Sequence, residues 1–223
     1  MEKAATPQRV WDLPVRLTHW ALVALLLFSW WSGENGELAW HRRSGYAVLV
    51  LLLFRLYWGF AGSSSARFAG FVRGPRTVAA YARRLLARPA TAATGHNPMG
   101  GWSVLILLAA LLTQVISGLF AVDTDGLESG PLSRYVSFST GRLFADIHGW
   151  AFDALLVLSA LHIAAIVFYL VWHRQNLVGA MLGGVRRLPA GAAAGLRFAG
   201  PWRALAGLLG AVLLVLAIVY GLG

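Results

Sequence analysis

The chain has 223 residues, of which 58% are hydrophobic and only 13% charged, with a formal net charge of +10 and no cysteine. That balance is too apolar for an ordinary soluble domain. The lack of cysteine excludes disulfides, iron–sulfur clusters, thiolate zinc sites and thioether-linked haem.

Five segments are apolar over about the 20 residues that a membrane-crossing helix needs: 15–33, 40–61, 102–122, 146–172 and 202–222. The first follows MEKAATPQRVWDLPVRLTHW, which lacks a small-residue cleavage site, so it is expected to act as an uncleaved signal. Leu and Ala dominate all five, without alternation, which argues for helices and against short strands. In lipid every backbone polar group must be satisfied within its own segment, and a helix does this. Between the second and third segments, GPRTVAAYARRLLARPA reads as an amphipathic surface helix opened by Pro75 and closed near Pro89. Residues 62–73 read equally well as a solvated connector. The tract LPAGAAAGL at 188–196 reads as a flexible joint before the fifth segment. Trp11, Trp20, Trp30, Trp31, Trp40, Trp58, Trp102 and Trp172 lie near segment ends and are expected to be interfacial anchors.

If the segments alternate in direction, fourteen basic residues share one side. They are Lys3, Arg9, Arg16, Arg67, Arg73, Arg76, Arg83, Arg84, Arg88, Arg174, Arg186, Arg187, Arg197 and Arg203. The other side holds Arg42, Arg43, Arg134 and Arg142, together with Glu34, Glu37, Asp123, Asp125, Glu128 and Asp146. The positive-inside rule then predicts a cytoplasmic N-terminus and a periplasmic C-terminus. The charge is read as topology and affinity for anionic lipid, not as a nucleic-acid surface. The outer acids are a candidate docking patch for a basic partner.

Histidines carry the chemistry. His148 and His162 stand fourteen residues apart in one apolar run, which places them on nearly the same helix face, roughly 21 Å apart along the axis. His19 and His41 begin two other apolar segments. Depth pairs His41 with His148 on the outer side and His19 with His162 on the inner side. Two imidazoles on one iron make a low-spin, electron-transferring b haem, so the four ligands predict two such haems, one above the other. Gly45, one turn after His41, clears space for a flat macrocycle, or else for close helix packing. Arg55 shares the face of His41 at the inner depth and is a candidate propionate partner, snorkelling being the alternative. Arg16 is counted among the candidate cofactor-binding residues, and Arg42 and Arg43 are further propionate candidates. Gln114 and Ser117 are expected to hydrogen-bond a cofactor or another helix. His96 is expected to be structural, with a quinone pocket as the alternative, and His173 to sit at the interface. Asp153 is expected to face another helix or the outer polar zone.

Several pieces resemble the bacterial cytochrome b561 superfamily and the b-type cytochrome subunits of nickel–iron hydrogenases. They are RLTHW, HRRSGYAVLVLLLFRLYWGFAGS, ARFAGFVRGPRTVAAY, GHNPMGGW and HGWAFDALLVLSALH, and they cover about residues 10–184. The resemblance implies a four-helix core with two non-covalent b haems, working between a periplasmic partner and the quinone pool. It implies the same four ligands: His19, His41, His148 and His162. The fifth segment lies outside that core.

The expected architecture is therefore an all-α integral membrane protein: a four-helix haem-binding bundle over 1–184, then a linker and a fifth transmembrane helix over 185–223. The expected function is electron transfer through two haems in the bacterial inner membrane, between quinone and a periplasmic c-type cytochrome or oxidoreductase subunit. One alternative is oxidation of superoxide with electrons passed to ubiquinone, which the acidic outer loops disfavour. Another is a haem-free anchor or a metal transporter, which histidines spaced so far along one helix disfavour.

Overall fold

The structure, a computed structural model, describes residues 5–87, 93–124 and 128–221. Lys3, Arg88, Pro89 and Asp125, named above, lie outside the described residues. In chain order the elements are β1 (Ala5–Arg9), α1 (Leu13–Glu34), α2 (Leu38–Ala61), α3 (Phe68–Phe71), α4 (Pro75–Arg83) and α5 (Pro98–Phe120). Then follow a 3₁₀ turn (Ser133–Tyr135), α6 (Phe138–Val171), α7 (Leu177–Gly183), β2 (Val185–Pro189) and α8 (Pro201–Leu216), whose last turn, Ala217–Gly221, is π-helical. Five helices, α1, α2, α5, α6 and α8 with its π turn, are long and apolar enough to cross a membrane. The chain is an all-α, multi-pass membrane protein.

Helix starts are set by polar caps rather than by hydropathy. The α5 helix begins four residues before the apolar run, because the Asn97 side chain accepts the backbone N–H of Gly100 at 2.7 Å and Pro98 fits the first turn. The α6 helix begins at Phe138, where Ser137 Oγ accepts the N–H of Thr140 at 3.2 Å. The polar first turns of both helices are invisible to a search for apolar runs.

The chain divides into two compact units. The first comprises 1–17, 57–106 and 159–204. Its centre is Asp12, which is 2% exposed. One carboxylate oxygen caps α1 by accepting the N–H of Val15 at 2.9 Å, and the other accepts the indole N–H of the fully buried Trp58 at 2.9 Å. Trp11 is buried as well, so these two tryptophans are core residues and not the interfacial anchors expected. Trp20, Trp30, Trp31, Trp40, Trp102 and Trp172 are exposed, as anchors should be.

Short strands were not expected, yet β1 pairs antiparallel with β2, from Ala5 opposite Pro189 to Arg9 opposite Val185. Both strands lie outside the five long helices. The joint at 188–196 is tied down: β2 includes its first two residues, and Gln8 Oε1 accepts the N–H of Ala193 at 2.8 Å. Gly184, at φ +79°, ends α7 in the left-handed conformation that glycine adopts without strain, and its carbonyl accepts the N–H groups of Val10 and Trp11. Residues 62–73 are packed rather than solvated, with Ser63, Ser65, Ala66 and Phe71 buried. The surface helix expected over 75–89 is shorter, ending at Arg83.

The second unit comprises 18–56, 107–158 and 205–223. Val48 and Leu52 of α2 pack with Leu111 of α5 and Leu155 of α6. A second cluster joins Leu49 and Leu119 to Leu132 and to Val215 of α8. The fifth long helix thus contributes to this unit's core.

Asp12→Ala removes a helix cap and leaves a buried indole N–H unpaired. The expected cost is about 2–4 kcal/mol, read as a lowered thermal midpoint of the detergent-solubilised protein. Asp12→Asn, which keeps the cap, should lose less.

Candidate haem-binding site

The second unit brings His41 of α2 and His148 of α6 together edge to face. Their ring centroids are 5.9 Å apart and their planes are inclined by 78°. Imidazole–metal bonds run to about 2 Å, so rings this close are near enough to share one metal atom.

Each ring is oriented by the same local device on a neighbouring helix. His41 Nδ1 lies 2.8 Å from the main-chain oxygen of Ser29 in α1. His148 Nδ1 lies 2.8 Å from the main-chain oxygen of Gln114 in α5. A carbonyl only accepts, so both Nδ1 atoms carry the proton and both Nε2 atoms are left as bases. Three residues on from each carbonyl is a buried serine, Ser32 or Ser117. Its hydroxyl donates to that same carbonyl at 3.0 Å in both cases. Four residues on is a glycine. A Cβ at Gly33 would come within 3.1 Å of His41 Nδ1, and one at Gly118 within 2.9 Å of His148 Cε1. Any larger residue there would press on the ring. Orientation of a metal-binding imidazole through its far N–H is the usual support for such a ligand.

Gln114 touches the second ring twice. Besides its carbonyl at Nδ1, its side-chain nitrogen is 3.0 Å from His148 Nε2. The carboxamide oxygen of Gln114 is buried and has no hydrogen-bond partner among the described residues. Gly45 borders open space: a Cβ added there would meet no atom within 4 Å. Two oriented imidazoles with Nε2 basic and a clear approach at Gly45 together fit a b-type haem between His41 and His148.

The remaining expected site residues are placed as follows. His19 sits in the second unit with its ring against Trp20, centroids 4.9 Å apart. His162 sits in the first unit, and α6 is unbroken between His148 and His162. Arg55 is only 7% exposed, so its guanidinium is taken into the protein. Arg16 donates through Nε to the Met181 carbonyl at 3.3 Å and through a terminal nitrogen to that of Leu182. These carbonyls at the end of α7 take two of its five N–H donors. Arg42 pairs with Glu128 at 2.7 Å, and Arg43 lies over the Trp40 ring. Asp153 is exposed.

A polar group in the first unit was not foreseen. Tyr169 of α6, 8% exposed, shares a 2.8 Å hydroxyl contact with Tyr81 of α4 and accepts from Asn97 Nδ2 at 2.8 Å. Beside them Arg186 donates to the carbonyls of Ala93 and Gly95 and to Gln175 Oε1. Burial pushes its guanidinium below the usual arginine range, and the adjacent Tyr81 and Tyr169 oppose that shift. His96 packs between Trp11 and Phe71, at centroid distances of 4.7 and 4.5 Å, in keeping with a structural role. His173 Nε2 lies 2.9 Å from the Leu85 carbonyl oxygen.

Sequence comparison places these residues in context. The profile described as prokaryotic cytochrome b561 matches residues 10–184. A probable Ni/Fe-hydrogenase B-type cytochrome subunit of Rhizobium leguminosarum bv. viciae is 27% identical, covering 83% of this chain and 92% of the relative. Similar proteins so described occur in Azotobacter chroococcum mcd 1, 25% identical over 79% of this chain and 87% of the relative, and in Escherichia coli K12, 24% identical over 79% and 89%. No solved structure matches the chain at a significant level. With the profile spanning most of the chain, and with three of its five long apolar helices carrying the candidate histidines, the protein belongs to the prokaryotic cytochrome b561 family of membrane electron-transfer proteins with b-type haem.

Proposed function

We propose that the chain moves electrons across the bacterial inner membrane through two non-covalent b haems, between the quinone pool and a periplasmic redox partner. The observation that carries this is the His41–His148 pair, 5.9 Å between centroids with each Nδ1 held by a main-chain carbonyl. Bound haem supplies reversible one-electron chemistry at iron, and two axial imidazoles suit it to electron transfer. The protein holds each ring in one tautomer.

The second haem is assigned to His19 and His162. This pairing rests on the sequence: both residues lie on the inner side of the alternating topology, and His162 is about four turns from His148 on an unbroken helix. Arg55 is assigned to a propionate because it stands fourteen residues after His41 on α2, and so shares that histidine's face at the inner depth. Arg16 has donors left for the same purpose.

Quinone reduction takes up two protons with two electrons. The Tyr81–Tyr169–Asn97 group is the proposed proton-handling element on the quinone side. Tyr169 lies about two turns beyond His162, on the same face of α6. Asn97 donates to its hydroxyl oxygen, which leaves the Tyr169 O–H free to donate to Tyr81 or onward.

The fourteen-to-four division of basic residues supports a cytoplasmic N-terminus and a periplasmic C-terminus. The redox partner is then a periplasmic c-type cytochrome or oxidoreductase subunit. The descriptions of the relatives favour a nickel–iron hydrogenase. Glu128 is already neutralised by Arg42, which leaves fewer acids for docking a basic partner. The wide spacing of His148 and His162 along one helix disfavours a transition-metal transporter.

Three experiments test this reading. Pyridine-haemochrome analysis of the purified protein should give about two haems per chain. His148→Ala and His162→Ala should each remove one haem and leave the other low-spin; a value of one or zero in the unmodified protein overturns the assignment. Tyr169→Phe should leave both haem spectra in place and slow quinone-linked turnover about a hundredfold, the lower end for a lost acid–base group; unchanged turnover removes the tyrosine pair from the mechanism. Cysteines placed at Arg76 and Ser139, both exposed, should label from the cytoplasmic and periplasmic sides respectively. Labelling of the Arg76 position from outside would invert the orientation.

A further inference from the structure

Asp153 is an acid in the middle of a membrane-crossing helix, and neither the histidine pair nor the tyrosine group uses it. The α6 helix has 34 residues, Phe138–Val171. A hydrocarbon crossing takes about 20, and every stretch of that length within α6 includes Asp153. The side chain is nevertheless turned outward. Asp153 is exposed and has no hydrogen bond or ion pair among the described residues. At about 100° per residue, Asp146, Gly149, Trp150, Leu156 and Val157 lie within roughly 60° of it around the helix. All five are exposed as well. His148 stands about 140° away, and Ala151 and Leu155, on the far side from Asp153, are buried. One face of α6 is thus uncovered along its N-terminal half, with a carboxyl group at its centre.

Lipid tails are a poor neighbour for that group. An acid inside a membrane helix is costly unless it meets a polar partner, and such side chains are satisfied across helix–helix contacts. Two features of this face suit a second copy of the same chain. The first is depth. Copies inserted with one topology carry Asp153 at one level, and a two-fold axis along the membrane normal sets a residue against itself. A protonated carboxyl both donates and accepts, so two of them satisfy each other without a foreign cation. The second is approach. Gly149 stands one turn before Asp153 on the same face, and a Cβ added there would meet no atom within 4 Å. Small residues at such positions let two membrane helices come close.

We propose that α6 carries a self-association surface centred on Asp153, through which two copies of the chain pack side by side in the membrane. Gly149 sets the close approach, and Val157 packs one turn beyond the acid. The carboxyl pair, hydrogen-bonded across the two-fold axis and shielded from lipid, gives the contact its specificity. Trp150 and Leu156 flank it on either side. The surface lies away from His148, so each copy keeps its own candidate haem site, and the contact does not depend on what His41 and His148 bind.

The chain has no cysteine, so a single introduced one reports proximity cleanly. Full-length Val157→Cys, oxidised in native membranes with copper phenanthroline, should form a disulfide-linked dimer. Leu209→Cys, on an exposed position of α8, should not, and it measures chance collision. Adding Asp153→Leu to Val157→Cys should cut the linked fraction about tenfold, as the loss of one hydrogen bond in an equilibrium would. Adding Asp153→Asn should preserve the link, because an amide also donates and accepts. Light scattering of the unmodified protein in mild detergent should give the mass of two chains, a result that needs no substitution to fold. Linking of Val157→Cys no greater than that of Leu209→Cys would mean that lipid covers the face, and overturns the proposal. So does linking that is indifferent to Asp153→Leu, a mass of one chain, or a link from Val157→Cys to a helix of another protein in place of a second copy.

Discussion

An imidazole inside a membrane protein has to give its N–H to the protein, because lipid offers no acceptor. Much of the second unit follows from that requirement. A backbone carbonyl in a helix interior is normally taken by the N–H four residues on, but its second lone pair is free. Ser29 and Gln114 lend that second lone pair to a histidine on a neighbouring helix. The close approach is permitted only because Gly33 and Gly118 carry no side chain. The buried serines one residue earlier satisfy their own hydroxyls on the same carbonyls. Two helices thus present equivalent cradles, formed by SWWSG in α1 and QVISG in α5, and each orients one ring of the His41–His148 pair.

The first unit is organised around polar groups of a different kind. Asp12 joins the start of α1 to Trp58, while Gly184 and the β1–β2 pairing bind the N-terminal stretch to the segment after α6. Arg16 closes the end of α7, and Arg186 collects carbonyls from the segment before α5. Basic residues that topology requires on one side therefore also serve as hydrogen-bond donors to helix ends and loops. In that setting the half-buried Tyr81 and Asn97 meet the buried Tyr169 in one hydrogen-bonded group.

Much of this was legible beforehand, and the reasons differ from element to element. Membrane-crossing helices announce themselves because the bilayer imposes length and apolarity on a contiguous run, so α1, α2, α5, α6 and α8 follow from local composition. The fourteen-residue spacing of His148 and His162 is also local, since one helix carries both. Polar starts of α5 and α6 escaped because caps are single residues outside the apolar window. Trp11 and Trp58 were misjudged because an interfacial tryptophan and one buried against Asp12 look alike in one dimension. The strands escaped because β1 and β2 are separated by most of the chain and neither is apolar enough to stand out.

By itself, the sequence determined the class of protein and its long apolar helices, and singled out the histidines from which the haem sites are proposed. All of these depend on composition or on spacing within one segment. Only the tertiary structure decided how His41 and His148 are held. Their acceptors lie on α1 and α5, and a shared carbonyl, a serine hydroxyl and a missing Cβ have meaning only once helices distant in sequence come within a few ångströms.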